Sequence, residues 1–345
     1  MRILSIAWEC PHGYGGLGTF VSSLLPEIAK RHSVLHLCLY DSTLEPQGNN
    51  SCLEYAHSSA VVRVCREGFV DPGGGVGVRA AVALGYRAME LVEEFDAVVG
   101  HDVHSALALY LCALHGKKCL FYVHMPTGLP LEAVPLVLKQ VRVAVNSFLV
   151  KRQLESLGTR SPVVVYPAPP LQPVSEYSKK HNEEPLVLIP SRYQFNKHPK
   201  HVLPSLELLR SRGYRFRAVV MGRATSLYRP ELPEWVEIVD SPSDEKRDEL
   251  YRSADVVVQV GFPEPFGLVA LEAIALGTPT LVSNESGVSE VLPREVVYTR
   301  ESLAELLEQL LSDPGAREEL WWKERMSWIM GRSWSDVWGE MEALL

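Results

Sequence analysis

Glu264 and Glu272 stand with seven residues between them in the run Glu264-Pro265-Phe266-Gly267-Leu268-Val269-Ala270-Leu271-Glu272-Ala273. The run follows Val256–Val260, whose apolar residues read as a strand, and Pro265 suits the first turn of a helix, where its missing N–H costs nothing. Gly277 and Pro279 suit the end of that helix. The spacing predicts a helix of about three turns beginning just after Glu264. Free N–H groups at such an N-terminus bind phosphate, and the two carboxylates can accept hydrogen bonds from a sugar ring and from a ribose. A single glutamate at either place would ordinarily be a solvated surface acid, so the weight falls on what surrounds the pair.

Arg192 and Lys197 lie in a loop after the strand-like Leu186–Ile189. Five positions apart, they can converge on one diphosphate, the arginine as a planar fork and the lysine as a point charge. From Arg192 to Arg223 there are eight Lys or Arg against one acid, Glu207. That excess suits a phosphate ligand, although the last six read as solvated helix charges. Gly13-Tyr14-Gly15-Gly16-Leu17-Gly18 follows the first strand and opens a helix, and its glycines permit the close approach of a ligand. It fits the dinucleotide fingerprint GxGxxG, with Asp41 23 residues beyond Gly18, so an NAD(P)-dependent dehydrogenase is an alternative reading. The four residues Glu9 to His12 make the approach to the first glycine longer than that fingerprint's usual turn. His101-Asp102 and His124 each follow an apolar run, at the carboxyl edge where ligands of α/β sheets collect. A lone histidine there is more often structural than catalytic.

The elements that must position these residues form two series. Arg2–Trp8, Val34–Tyr40, Ala97–Gly100, Cys119–Val123, Val141–Val145 and Pro162–Tyr166 read as strands, with a helix over Thr19–Arg31. Most lack polar alternation, as in a parallel sheet covered by helices on both faces. Pro167 to Pro185 is rich in proline and charge and reads as a linker. The pattern restarts with strands at Leu186–Ile189, Phe216–Met221, Val236–Val239, Val256–Val260 and Thr280–Val282, and helices near 202–212 and 244–252. The expected fold is α/β: two Rossmann-like doubly wound domains, 1–166 and 186–316, facing a cleft. Residues 317–345 hold five of the seven tryptophans and read as a helical segment packing across the domains.

Composition narrows the function classes. The 345 residues are 46% hydrophobic and 22% charged, ordinary for a globular protein. Acids exceed bases, 42 to 34, which argues against a broad nucleic-acid face. No apolar stretch reaches the ~18 residues of a membrane span and nothing resembles a signal peptide, so a soluble cytosolic protein is expected. Lys139, Arg142, Lys151, Arg152 and Arg160 leave open a peripheral membrane contact, though a strand followed by an ordinary amphipathic helix fits the same residues. No two of the six cysteines are spaced as CxxC, and several read as plain buried thiols; Cys52 and Cys65 flank a polar loop and could pair in a hyperthermophile.

The segment EPFGLVALEAIALGTPTLVSNESGVSE resembles the donor site of the retaining GT-B glycosyltransferases of family 4, the group of glycogen and sucrose synthases and many mannosyltransferases. Leu250-Tyr251-Arg252-Ser253-Ala254-Asp255-Val256 is similar to the same family, and the likeness runs over nearly the whole chain. Pro167-Ala168-Pro169-Pro170 replaces the family's Asn-Gly, and Ser286-Gly287 replaces its Gly-Gly. The resemblance implies transfer of a hexose from a UDP-, ADP- or GDP-linked sugar to a hydroxyl of a sugar, glycan or lipid, with retention by front-face attack. It implies that Arg192, Lys197 and the amides near Phe266, Gly267 and Leu268 hold the diphosphate. Glu272 would hold the ribose and Glu264 and His124 the sugar. Gly15 and Gly16 would close over the donor, and His101 and Asp102 would orient the acceptor. The chain has no Asp-x-Asp, the motif that holds a divalent cation on diphosphate in the other main transferase fold, so neither a metal nor another cofactor is expected. A sugar-nucleotide-binding relative without transfer is the remaining alternative.

Overall fold

A computed structural model describes residues 1–11, 15–41, 51–57, 60–69, 76–125, 138–179, 182, 184–191, 197–222 and 232–345. They divide into two units, Met1–Pro167 with Ser333–Leu345, and Ala168–Arg332.

The first unit is built on strands β1 (Arg2–Ile6), β2 (Ser33–Asp41), β3 (Ser51–His57), β4 (Ala60–Phe69), β5 (Ala97–Gly100), β6 (Lys118–Val123), β7 (Arg142–Val145) and β8 (Val163–Val164). Their order is β3-β4-β2-β1-β5-β6-β7-β8, parallel throughout except that β3 runs antiparallel to β4. Helices α1 (Gly16–Ala29), α2 (Val76–Leu91), α3 (Ala106–Leu114) and α4 (Phe148–Ser156) connect them. Leu4, Ile6, Leu37, Val98, Phe121 and Val145 share one core, each apolar side chain contributing about 1.5–3 kcal/mol by burial. In α1 the positions expected to be apolar, Phe20, Leu24, Leu25 and Ile28, are all buried. The β3–β4 hairpin was not anticipated. In β4, Val62 and Val64 are buried and Arg63 is exposed, an alternation that marks a strand near the edge rather than one buried on both faces. The basic stretch around residue 142 is strand β7 followed by α4, with Val150 and Leu154 turned inward.

Cys10 and Cys38 differ from the expectation of plain buried thiols, whereas Cys52 and Cys65 form the pair the sequence had left open. Cys10 is bonded to Cys38, 28 residues on, and Cys52 to Cys65 across the hairpin. Cys112 and Cys119 are free and buried, and burial pushes their thiols up to about 11 and about 12.

The second unit holds β9 (Leu186–Pro190), β10 (Arg217–Gly222), β11 (Val236–Asp240), β12 (Val256–Gln259), β13 (Thr280–Ser283) and β14 (Val297–Tyr298), in the all-parallel order β11-β10-β9-β12-β13-β14. Its helices are α5 (Leu203–Ser211), α6 (Asp244–Ser253), α7 (Leu268–Ala275), α8 (Leu303–Ser312) and α9 (Pro314–Arg325). The order of strands reverses between β9 and β12, the switch point at whose carboxyl ends open α/β sheets bind ligands. Residues 168–179, expected within a linker, are tied to this unit. The Val174 N–H donates to the Ala275 carbonyl at 2.9 Å, and Lys179 Nζ donates to the carbonyls of Tyr251, Arg252 and Ala254.

The tryptophan-rich segment is divided between the units. In α9, Trp321 is buried and its indole N–H donates to Ile274, while Arg317 pairs with Asp255 at 3.0 Å, both side chains almost fully buried. Helix α10 (Trp334–Glu342) packs in the first unit, where Trp334 meets Phe20 edge-on and Glu342 bonds Arg31 and His32 at 2.8 and 2.7 Å. Among the described residues, no helix is long and apolar enough to cross a membrane.

Candidate functional site

The loop from β12 to α7 carries Glu264, and tertiary pairing shapes it. The Glu264 N–H donates to the Glu285 carbonyl, the Gly287 N–H to the Glu264 carbonyl, and the Val288 N–H to the Phe266 carbonyl, at 3.0, 3.0 and 2.8 Å. A Cβ on Gly261 would lie 2.2 Å from Glu264 Cβ, so only glycine lets the loop fold this closely. Helix α7 begins at Leu268, not just after Glu264 as expected, and Pro265 lies outside it. Gly267, at φ +105°, is left-handed and cannot sit inside a helix, so 264–266 pairs with 285–288 instead. Gly277, at φ +88°, ends α7 as anticipated. Glycine at the N-cap leaves α7 with no side-chain cap, the arrangement in which its first amides are open to an anion.

Lys197 follows β9 and reaches this loop. Its Nζ lies 2.7 Å from Glu264 Oε2, with the lysine partly exposed and the glutamate nearly buried. The Ser191 hydroxyl donates to the Lys197 carbonyl and fixes the lysine's backbone. Lys197, Glu264, Phe266, Gly267 and Leu268 thus gather at the switch point of one sheet. Arg192 lies outside the described residues, as do Gly13 and Tyr14.

Glu272 is buried on the second turn of α7 and accepts a hydrogen bond from Tyr251 Oη at 3.1 Å. Burial raises its pKa above the usual carboxylate value, opposed by the charge of Arg247 and by the Tyr251 bond. Burial and the facing carboxylate push Tyr251 well up, so it stays a donor. Sequence reasoning gave no role to Tyr251, nor to Gln259 at the end of β12. Gln259 is fully buried; its Oε1 accepts the Ser283 N–H at 3.2 Å, and its Nε2 meets no acceptor among the described residues. A glutamine closing an apolar strand was the available signal.

The first unit gathers its own group at the carboxyl ends of β1 and β5, where that sheet's order also reverses. Asp102 caps the turn after β5: its carboxylate accepts the N–H of Trp8, of His104 (2.7 Å) and of Ser105 (3.2 Å). His101 is buried with its Nε2 3.2 Å from Ser5 Oγ, which also lies 2.9 Å from His36 Nδ1. Burial, with the neighbouring His124 and His36, holds His101 well below the usual histidine range. His124 keeps part of its surface, its Nε2 is covered, and it meets Phe20 edge-on at 4.5 Å. Burial lowers its pKa to about 3, so it is a neutral imidazole. Among the described residues, a Cβ on Gly16 would touch nothing within 4 Å. Gly15 caps α1 without a side chain, and Glu9 supplies the anion: its Oε2 accepts the Gly18 N–H at 2.8 Å. A carboxylate at that helix end repels a dinucleotide pyrophosphate, which weakens the dehydrogenase reading.

Residues 174–325, which hold Lys197, Glu264 and Glu272, match the family of glycosyl transferases group 1. An uncharacterized glycosyltransferase of Methanocaldococcus jannaschii is 49% identical over 75 residues, a stretch spanning 20% of this chain and 19% of that protein. Alpha-1,3/1,6-mannosyltransferase ALG2 of Homo sapiens is 24% identical over 301 residues, 70% of this chain and 72% of that one. The structure described as trehalose-6-phosphate from E. coli bound with UDP-2-fluoro glucose superposes with a TM-score of 0.74 over 100% of both chains at 13% identity, a likeness of fold. Residues 174–325 thus resemble the glycosyl transferases group 1, and the two mostly parallel α/β units have the GT-B fold of the superposed structure.

Proposed function

We propose that the chain transfers a hexose from a nucleoside diphosphate sugar to a hydroxyl acceptor, with retention and without a metal ion. The observation that carries the reading is the Lys197–Glu264 pair beside the uncapped start of α7. Lys197, with Arg192, and the first amides of α7 neutralise the diphosphate as it departs, while positive charge builds on the anomeric carbon. The bond from that carbon to the phosphate oxygen breaks, the acceptor oxygen bonds on the same face, and the acceptor proton passes to the leaving phosphate. Glu264 accepts from the sugar hydroxyls, and neutral His124 contributes a hydrogen bond rather than a charge. Glu272, steadied by Tyr251, takes the ribose hydroxyls.

The acceptor class is a sugar, a glycan or a lipid-linked hydroxyl. The proposal sets the reaction in the cytosol, which requires the fold to survive reduction of its two disulfides. Thermal unfolding with UDP-, ADP- and GDP-sugars, NAD and NADP tests the donor. A ligand at 100 times its Kd adds roughly 2.7 kcal/mol, a shift of a few degrees. Stabilisation by one nucleotide sugar, lost in Glu272→Ala, supports the reading; stabilisation by NAD alone overturns it. Activity lost with EDTA and restored by Mg²⁺ would remove the metal-independent part, and binding without transfer to any acceptor would leave a sugar-nucleotide-binding protein.

A further inference from the structure

Gln259 is oriented by a group that can only donate. The Ser283 N–H, 3.2 Å from Gln259 Oε1, forces the carboxamide oxygen to face β13 and turns Nε2 the other way. There Nε2 is fully covered and meets no acceptor among the described residues, a costly state for a buried donor. Its direction is marked by Gly261: the point where a Cβ would stand is 3.0 Å from Gln259 Nε2, 2.2 Å from Glu264 Cβ and 3.1 Å from Glu264 Cγ. The amide donor and the stem of Glu264 therefore converge on one point, free only because residue 261 is glycine.

Glu264 is meanwhile neutralised by Lys197 at 2.7 Å. On the proposed function, a diphosphate takes Lys197. Glu264, whose side chain is only 9% exposed, then loses its cation in a place where water reaches it poorly. We propose that Gln259 is a positioning residue that receives Glu264 at that moment. Its Nε2 donates to the carboxylate that Lys197 has released, keeping it aimed at the sugar. One lysine and one amide thus alternate on a single carboxylate, and the donor substrate drives the exchange. The inference rests on the transferase reading and adds a residue that acts through Glu264 without touching substrate.

Gln259→Glu and Gln259→Leu test it in the full chain, with wild type confirmed first to bind and transfer from its nucleotide sugar; failure there would sink the functional reading rather than this one. Gln259→Glu keeps an acceptor for Ser283 and exchanges the donor for a second carboxylate. The expected result is a fall in kcat of about tenfold or more at about pH 8, with Kd for the free nucleoside diphosphate unchanged, because Lys197 and α7 are intact. As pH falls, the new carboxyl gains a proton it can donate, and kcat recovers relative to wild type. Gln259→Leu shows the fall without the recovery. Circular dichroism identifies any variant that does not fold, and Gln259→Glu alone then decides by its pH profile. A kcat within twofold of wild type in folded Gln259→Glu overturns the proposal. So does a fall that is the same at every pH, or one matched by lost diphosphate affinity.

Discussion

Lys197 and Glu264 face each other across 2.7 Å, from loops that follow β9 and β12, the two strands between which the second sheet changes direction. On the proposed function each group gives up the other during transfer, since one suits phosphate and the other suits hydroxyls. Held together, they leave a nearly buried carboxylate beside its own cation. On that proposal the pair is a resting state of the site.

Glu264→Ala should lower transfer by roughly two orders of magnitude, the cost of losing one directed electrostatic contact in a covered site. Lys197 is partly exposed and can turn to water, so the melting temperature should stay within a few degrees of wild type. Steady-state transfer with a melt on the same sample checks both. Normal turnover in the folded variant would remove Glu264 from the mechanism.

Tyr251→Phe removes the hydroxyl bonded to Glu272 while keeping the ring. Nucleotide affinity should weaken about fivefold to tenfold, the worth of one ordinary hydrogen bond, with kcat for saturating donor little changed. Calorimetric titration with the nucleoside diphosphate reads it. An unchanged Kd would show that Glu272 does not hold the ribose.

Acid should loosen the first unit through its buried histidines. Burial lowers His36 to about 4 and His124 to about 3, with Asp102 opposing both shifts, and lowers His101 as well. These groups are neutral in the fold but take protons in the unfolded chain below about pH 6.5. Stability is therefore full above that value and falls as pH drops toward 4, by up to about 1.4 kcal/mol per pH unit for each histidine. Glu272 and Glu324 in the second unit act with the opposite sign: burial raises their pKa values, so their contribution is present in acid and lost as pH rises. Hydrogen exchange at pH 7 and about pH 5, corrected for intrinsic rates, should show α1 and β2 losing protection before α7 and β13. His36→Asn should flatten the trend.

Removing the Cys10–Cys38 bond, as Cys10→Ser with Cys38→Ala, should cost roughly 2–4 kcal/mol, because it releases a loop of 28 residues in the unfolded chain. Urea midpoints of variant and wild type measure the difference. Wild type treated with a reductant adds the compartment: a fold that persists suits the cytosol, and one that collapses needs an oxidising setting.

The sequence was most legible where burial alone decides structure. Ala97–Gly100 is a strand with the bounds expected of it, because an unbroken apolar run has no alternative to a sheet centre. Lys197, Glu264 and Glu272 were singled out through family likeness, since local periodicity does not separate them from surface charges. What escaped depended on distant partners. Glu9 caps α1 from nine residues before Gly18, and Cys10 finds Cys38 only after β1 and β2 are adjacent. Pro265 carried a true local preference for a helix start, and the pairing of 264–266 with 285–288 overrode it. Gln259 read as one more residue of a buried strand, since the freedom of its amide nitrogen is visible only once Ser283 has claimed the oxygen.

Helix α10 belongs to the first unit, although residues 168–332 of the second come before it in the chain. During synthesis the amino-terminal sheet therefore emerges from the ribosome long before the element that covers Phe20 and bonds Arg31 and His32. The unit made first is completed last. A nascent chain stalled within the second unit would present an apolar face at Phe20 of α1, an exposed surface of the kind that chaperones hold until translation supplies its lid.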